Sequence, residues 1–409
     1  MIGNDMQIRK TQCATGFARR LTRLAGAALI ALTLPQMTQA QTLADALVGA
    51  YTNSGLLEQN RALLRAADED VAGTVAQLRP ILNWSTDITR TFSHNSGVVA
   101  NAHIRSGDTD LNAAITAEWL LYDFGGTRYQ IDAAKETVLA TRQALISIEQ
   151  QVMLQTVQAF MNVQRASRFV SLRQSNVRVI GESLRAAQDR FDVGEVTRTD
   201  VAQAENRLSL AVSGLANARG DLAQAIEEYI SVVGSRPGTQ LQQPPIPPIT
   251  RSLETAKQVA LRNHPDMLKS QHDVAAAELN VLVAASTMSP RLTMTGRLGV
   301  NEQLDGSSFG HTGSVGIELR GPIYQGGALS SAKRRAVAQR DAVLGVLHTT
   351  SYNVARNVGT AYAILDAARA SAAATVDGVR AGRVAFEGVK EEAKLGARTT
   401  LDVLNAEQE

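Results

Sequence analysis

Apolar and polar positions along the chain change their period in a fixed order, and the order occurs twice. From Leu43 to about Arg79 apolar residues recur at helical spacing for about 37 residues, with a break expected at Asn53-Ser54-Gly55. Pro80 ends this stretch, because proline lacks an N–H donor and disfavours helical geometry in the residue before it. The period then drops to two: Leu82, Trp84, Ile88 and Phe92 alternate with Asn83, Ser85, Asp87 and Thr89, which predicts a strand. A loop of about fifteen Gly, Ser, Asn and Asp-rich residues, holding His94 and His103, is expected next. A second alternation sets Leu111, Ala113, Ile115, Ala117, Trp119 and Leu121 against Asn112, Thr116 and Glu118. From Gly126 to Phe191 there is no proline, which predicts a helix of about 100 Å if unbroken. Ile131, Val138, Leu145, Val152 and Ala159 recur along it every seven residues, the seam of a coiled coil. The helix predicted from Thr199 to Val233 is shorter, and stacked end to end with Leu43–Arg79 it would match the long one.

The second copy starts at Leu253. Asn263-His264-Pro265 repeats the early break, Pro290 the helix stop, and Leu292, Met294, Leu298 and Val300, then Val315, Ile317 and Leu319, the two alternations. A second long helix is predicted from Ala328 to about Leu395. Leu43 and Pro80 match Leu253 and Pro290 at an offset of about 210, and Gly125-Gly126 matches Gly326-Gly327 at about 201. The change of offset is expected to lie in a longer polar loop in the first copy. Beyond the long helices the offset is about 202, aligning Gly194 with Gly396, Thr197 with Thr399, Asp200 with Asp402 and Ala204-Glu205 with Ala406-Glu407. Glycine ends a helix in the left-handed conformation, and Thr or Asp caps the next one, so each copy is the tip of a helical hairpin. The division is a first repeat at 41–236, a Pro-rich linker at 237–252 and a second repeat at 253–409, whose last helix is expected to be truncated.

Composition and motifs add further constraints. Residues 1–40 read as a secretory signal: Arg19, Arg20 and Arg23 precede an apolar run from Leu24 to Leu34, too short to span a bilayer, and Thr38-Gln39-Ala40 offers a cut before Gln41. The only cysteine, Cys13, lies inside that signal, so the exported chain carries no disulfide and no lipidation site. The net charge of +2 gives no electrostatic case for nucleic acid. The six histidines, His94, His103, His264, His272, His311 and His348, show no metal-ligand spacing, three of them falling in predicted loops. No phosphate loop, zinc motif or nucleophile elbow is present, so neither an enzyme nor a cofactor is expected.

About ten residues per strand with one apolar face fits a transmembrane β-barrel strand and equally a soluble half-buried hairpin. Four strands cannot close a barrel alone, so a membrane sheet would need several chains.

Three stretches together carry a family resemblance: Arg190-Phe191-Asp192-Val193-Gly194 before Thr199-Asp200-Val201, Pro322-Ile323-Tyr324-Gln325-Gly326-Gly327, and Gly396-Ala397-Arg398-Thr399 before Leu401-Asp402-Val403-Leu404. In this order the chain resembles the TolC-type outer-membrane efflux proteins over essentially everything after the signal. The resemblance implies a mainly α fold with a β-barrel portion: a homotrimer giving four transmembrane strands per chain to one twelve-stranded barrel in outer-membrane lipid, above a periplasmic tunnel of coiled-coil hairpins. It implies a passive exit duct for efflux or type I secretion, recruited by a periplasmic adaptor (membrane fusion) protein and an inner-membrane transporter. The tips would form the gate, with Asp402 at the constriction and Arg398 opposite Thr199 and Asp200 of a neighbouring hairpin. Gly194, Val193, Gly396 and Leu395 would meet the adaptor. Asn405 stands where the family can place a second acidic ring, which implies weaker cation selectivity, and Ala393 where it can place a gate-closing tyrosine. The alternative is a periplasmic adaptor or coiled-coil scaffold without channel activity; a purely soluble chain would favour it.

Overall fold

The computed structural model describes residues 41–96, 103–250, 252–306 and 308–409. The predicted signal lies outside them. The first stretch of helix divides where the sequence predicts, into α1 (Leu43–Asn53) and α2 (Gly55–Ala76). Ser54 is extended and its hydroxyl accepts from the Leu57 N–H at 3.4 Å, so one residue ends α1 and caps α2.

After the strands β1 (Ile81–Ser96) and β2 (His103–Tyr122) come the long helix α3 (Gly126–Asp192) and α4 (Arg198–Val233). The second copy runs through α5 (Leu253–Asn263), α6 (Pro265–Ser286), β3 (Arg291–Gln303), β4 (Phe309–Arg320), α7 (Ala328–Lys394) and α8 (Thr400–Gln408). His264 repeats the role of Ser54: it is extended, its Nδ1 accepts from the Asp266 N–H at 3.2 Å, and Pro265 opens α6 where no helical N–H bond is lost.

Along α3 the shorter helices do stack end to end. Asn53, at the end of α1, donates through Nδ2 to the Val233 carbonyl at 3.1 Å, satisfying the C-terminus of α4. Gly234 turns the chain there at φ +82°, and a Cβ on it would come within 2.8 Å of the Asn53 side chain. The main apolar core sits at this meeting point: Leu57, Phe160, Tyr229 and Val233 are buried together with Val152, a residue of the seven-residue seam. Gln41 closes it from outside, its N–H donating to the Gln240 carbonyl and its own carbonyl accepting from the Gln242 N–H, both at 3.0 Å. The two copies are joined where α3 packs on α6, with His272 Nδ1 2.7 Å from Glu136 Oε2.

Two sequence expectations need correction. His94 and His103 are not in a loop: β1 extends to Ser96 and β2 starts at His103, with His94 opposite Arg105, while residues 97–102 of the expected loop lie outside the described residues. The extra length of the first copy therefore lies at least partly in longer strands, 16 and 20 residues against 13 and 12 in β3 and β4. Polar composition imitates a loop, but ladder hydrogen bonds do not depend on it. His311 is likewise in β4. The glycine pairs also align differently. Gly125 and Gly327 are the left-handed residues just before α3 and α7, at φ +90° and +87°, and each follows another left-handed residue, Phe124 at +56° and Gly326 at +58°. The match is thus Phe124-Gly125 with Gly326-Gly327, and the offset of 202 holds from this junction to the tips.

Candidate functional site

Two regions are candidates for function: the sheet and the hairpin tips. The sheet has the order β1-β2-β3-β4, every neighbour antiparallel, with β1 and β4 left as open edges. Residues opposite each other across a ladder share a face, so the register fixes which side chains lie together. One row runs Leu82, Ala117, Gly296, Val315, and the neighbouring one begins Trp84, Ile115, Leu298. The opposite face carries the row Asn83, Thr116, Arg297, Ser314 and, further out, Asp87, Asn112, Asn301, Gly310. None of the described residues covers the apolar face: Trp84 is 80% and Val315 76% exposed. No described helix is long and apolar enough to cross a membrane. The shortest strand has 12 residues, more than the about 9–11 that a tilted strand needs to cross a bilayer.

The tips are built alike. Gly194 and Gly396 are left-handed at φ +80° and +76°, and in each the next residue's N–H reaches back to close the helix, Glu195 to the Arg190 carbonyl at 2.9 Å and Ala397 to the Glu392 carbonyl at 3.0 Å. The following helices open with reciprocal caps. Thr197 and Asp200 exchange hydrogen bonds at the start of α4, and Thr399 and Asp402 do so at the start of α8. Oδ2 of Asp402 accepts from the Thr399 N–H at 3.0 Å and from its hydroxyl at 2.8 Å. Backbone first and hydroxyl second, the bonds from Thr399 hold the Asp402 carboxyl below the usual carboxylate range, and those from Thr197 do the same for Asp200. Thr199 is not the cap; it lies exposed in the first turn of α4. Val193 and Leu395 project from the two tips, exposed.

Within the chain Arg398 faces neither Thr199 nor Asp200. Its Nε donates to Oε2 of Glu392, on the other arm of its own tip, at 2.9 Å. Asn405 is set against the other hairpin: its Oδ1 accepts from Arg207 of α4 at 2.7 Å, and the same guanidinium donates to Gln408 Oε1 at 2.7 Å. Leu404 is buried beside these bonds against Ala187 and Ala204 of the first hairpin. Burial raises the Glu407 carboxyl above its usual range, against the charge of Lys390 and a hydrogen bond from Ser183. Sequence reasoning missed Arg207 and Glu392. The available signal for Arg207 was its place seven residues after Asp200, on the same face of α4 two turns along. Among the described residues no cluster of His, Cys, Asp or Glu is arranged to hold a metal.

The sequence profile of the family described as outer membrane efflux protein matches residues 18–235 and 256–409. Outer membrane efflux protein BepC of Brucella suis is 35% identical over 376 residues, 91% of this chain and 80% of that protein. Outer membrane protein TolC of Escherichia coli is 22% identical over 394 residues, 90% of this chain and 77% of TolC. Among solved structures the channel CusC superposes with a TM-score of 0.78 at 18% identity, covering 90% of this chain and 86% of that one, which shows the same fold. The chain therefore belongs to the outer membrane efflux protein family, an exit duct with its sheet in the outer membrane and its helices on the periplasmic side.

Proposed function

We propose that three copies of the chain close a twelve-stranded barrel over one helical tunnel, and that this passive duct is recruited by a periplasmic adaptor and an inner-membrane transporter. The observation that carries the reading is the sheet: two-faced, uncovered on its apolar side and open at both edges. In lipid an open edge leaves backbone groups unsatisfied at a cost of several kcal/mol each, which favours closure by further copies. The repeats, 41–236 and 253–409 joined by 237–252 behind the export signal at 1–40, give the contact between copies. Inside one chain Ile115 lies opposite Leu298. Ile317 corresponds to Ile115, and Ile88 to Leu298, so β4 of one copy would set Ile317 opposite Ile88 of the next.

The tips form the gate. Asp402 of three copies makes an acidic ring that attracts cations, while Arg398 meets Thr199 and Asp200 of the adjoining copy. Being exposed, that pair is screened by solvent and weak, suited to a gate that an adaptor must open. The exposed tip residues Val193 and Leu395, with Gly194 and Gly396, are the adaptor's contact. No catalytic step belongs to the chain; cargo is selected by the pump.

The test uses Ile88→Cys with Ile317→Cys in the detergent-extracted chain, bridged by a short bis-maleimide. A ladder ending at three chains is expected. Bridging that fails, or yields only intrachain product, contradicts the ring.

A further inference from the structure

We propose that Arg207 is a latch between the two hairpins of one protomer, and that it sets the charge of the duct just beyond the Asp402 ring. The proposal rests on the duct reading for its effect on current but not for the latch itself. A guanidinium presents several N–H donors in a rigid fork, and here two of them reach two amide oxygens one helical turn apart, Asn405 Oδ1 and Gln408 Oε1, both at 2.7 Å. Leu404, the residue before Asn405, is 5% exposed, seated on Ala187 and Ala204. The bonds and the apolar contact together hold α8 against α3 and α4, and the link lies within one chain, so it needs no contact between copies.

The acceptors matter as much as the donor. Both are neutral amides, so the latch has no group that titrates in the physiological range, and it leaves the guanidinium charge uncompensated by its partners. A carboxylate at 405 would turn the latch into an ion pair whose strength depends on salt. Asn405 lies three residues after Asp402, one turn along the same face of α8. A layer of three cations therefore follows the layer of three carboxylates. Asn405 is more than a lost acidic ring: it is the acceptor for an arginine.

Two readouts on the full chain separate the latch from the duct. Spin labels at Val193→Cys and Leu395→Cys, with Cys13→Ser, report the spacing of the tips in detergent, and planar bilayers report conductance and selectivity. Arg207→Gln should broaden the distance distribution at least twofold, raise conductance at least twofold and increase cation preference. Exchanging the partners, Arg207→Asn with Asn405→Arg, should restore the narrow distribution. If Arg207→Gln leaves tip spacing and conductance as they were, the latch is wrong. Tip spacing that responds in a protein that never conducts would keep the latch and overturn the duct.

Discussion

The two long helices have the same length and the same ends, and opposite surroundings. α3 and α7 are each 67 residues, each preceded by a left-handed glycine and each closed by a glycine tip. Yet α3 buries fourteen of its residues, whereas Val354 is the only buried residue of α7. Val354 is the counterpart of Val152, so both helices share that position of the seam. The difference comes from what lies opposite. α4, α6, α2 and α1 cover α3, while α7 meets α6, α5 and the nine-residue α8. Helix length and termini are local properties, written in caps and the absence of proline; burial depends on the partner. Tyr352, Ile364 and Val376 of α7 are exposed among the described residues, where α8, the counterpart of the 36-residue α4, spans nine residues.

The contrast is largest in the core. Phe160→Ala removes a fully buried ring from the cluster under α1 and α4 and should cost about 3–5 kcal/mol in chemical unfolding of the unassembled chain. Its counterpart Tyr362 donates its hydroxyl to the Thr250 carbonyl at 2.5 Å, and Tyr362→Phe should cost about 1 kcal/mol. Equal losses would mean that α7 is covered within the chain after all. Next in size is Ile364→Asp, at a position that no described residue covers, which should leave unfolding of the chain within about 0.5 kcal/mol of the parent. A loss as large as that of Phe160→Ala would mean that Ile364 is covered.

At the tips the two copies should behave alike. Gly194→Ala and Gly396→Ala each force a Cβ into the left-handed region and should cost about 1–2 kcal/mol, read as faster amide exchange in the adjoining turns. The smallest effect is a pH dependence. Burial raises the folded-state pKa of Glu407, so the docked state binds its proton more readily and α8 gains protection as pH falls through that value. Glu407→Gln should hold the protected state at neutral pH and abolish the trend. Asp402 works the other way: its lowered pKa keeps the Thr399 cap through mild acid, the cap's contribution fading only below the usual carboxylate range.

Most of the helical plan could be read in advance because its signals are local. The divisions at Ser54 and His264, the stops at Pro80 and Pro290 and the glycines at 194 and 396 act on their immediate neighbours. Three features could not. The outer ends of β1 and β2 have the composition of a loop and are held by pairing with each other. The junction register was one residue off, because Phe124 adopts a conformation that sequence reasoning reserves for glycine. At the tips, the caps were legible in Thr197, Asp200, Thr399 and Asp402, but the partner of Asn405 lies 198 residues away on another helix. Such a contact is set by the packing of α8 on α4, not by spacing along the chain.

The most direct test of the account is single-channel current through the detergent-extracted chain in a planar bilayer. Long-lived, uniform conductance steps with a mild cation preference that falls in Asp402→Ala are the predicted result. A chain that stays in solution once detergent is removed, and passes no current, would contradict a membrane duct and return the hairpins to a soluble scaffold.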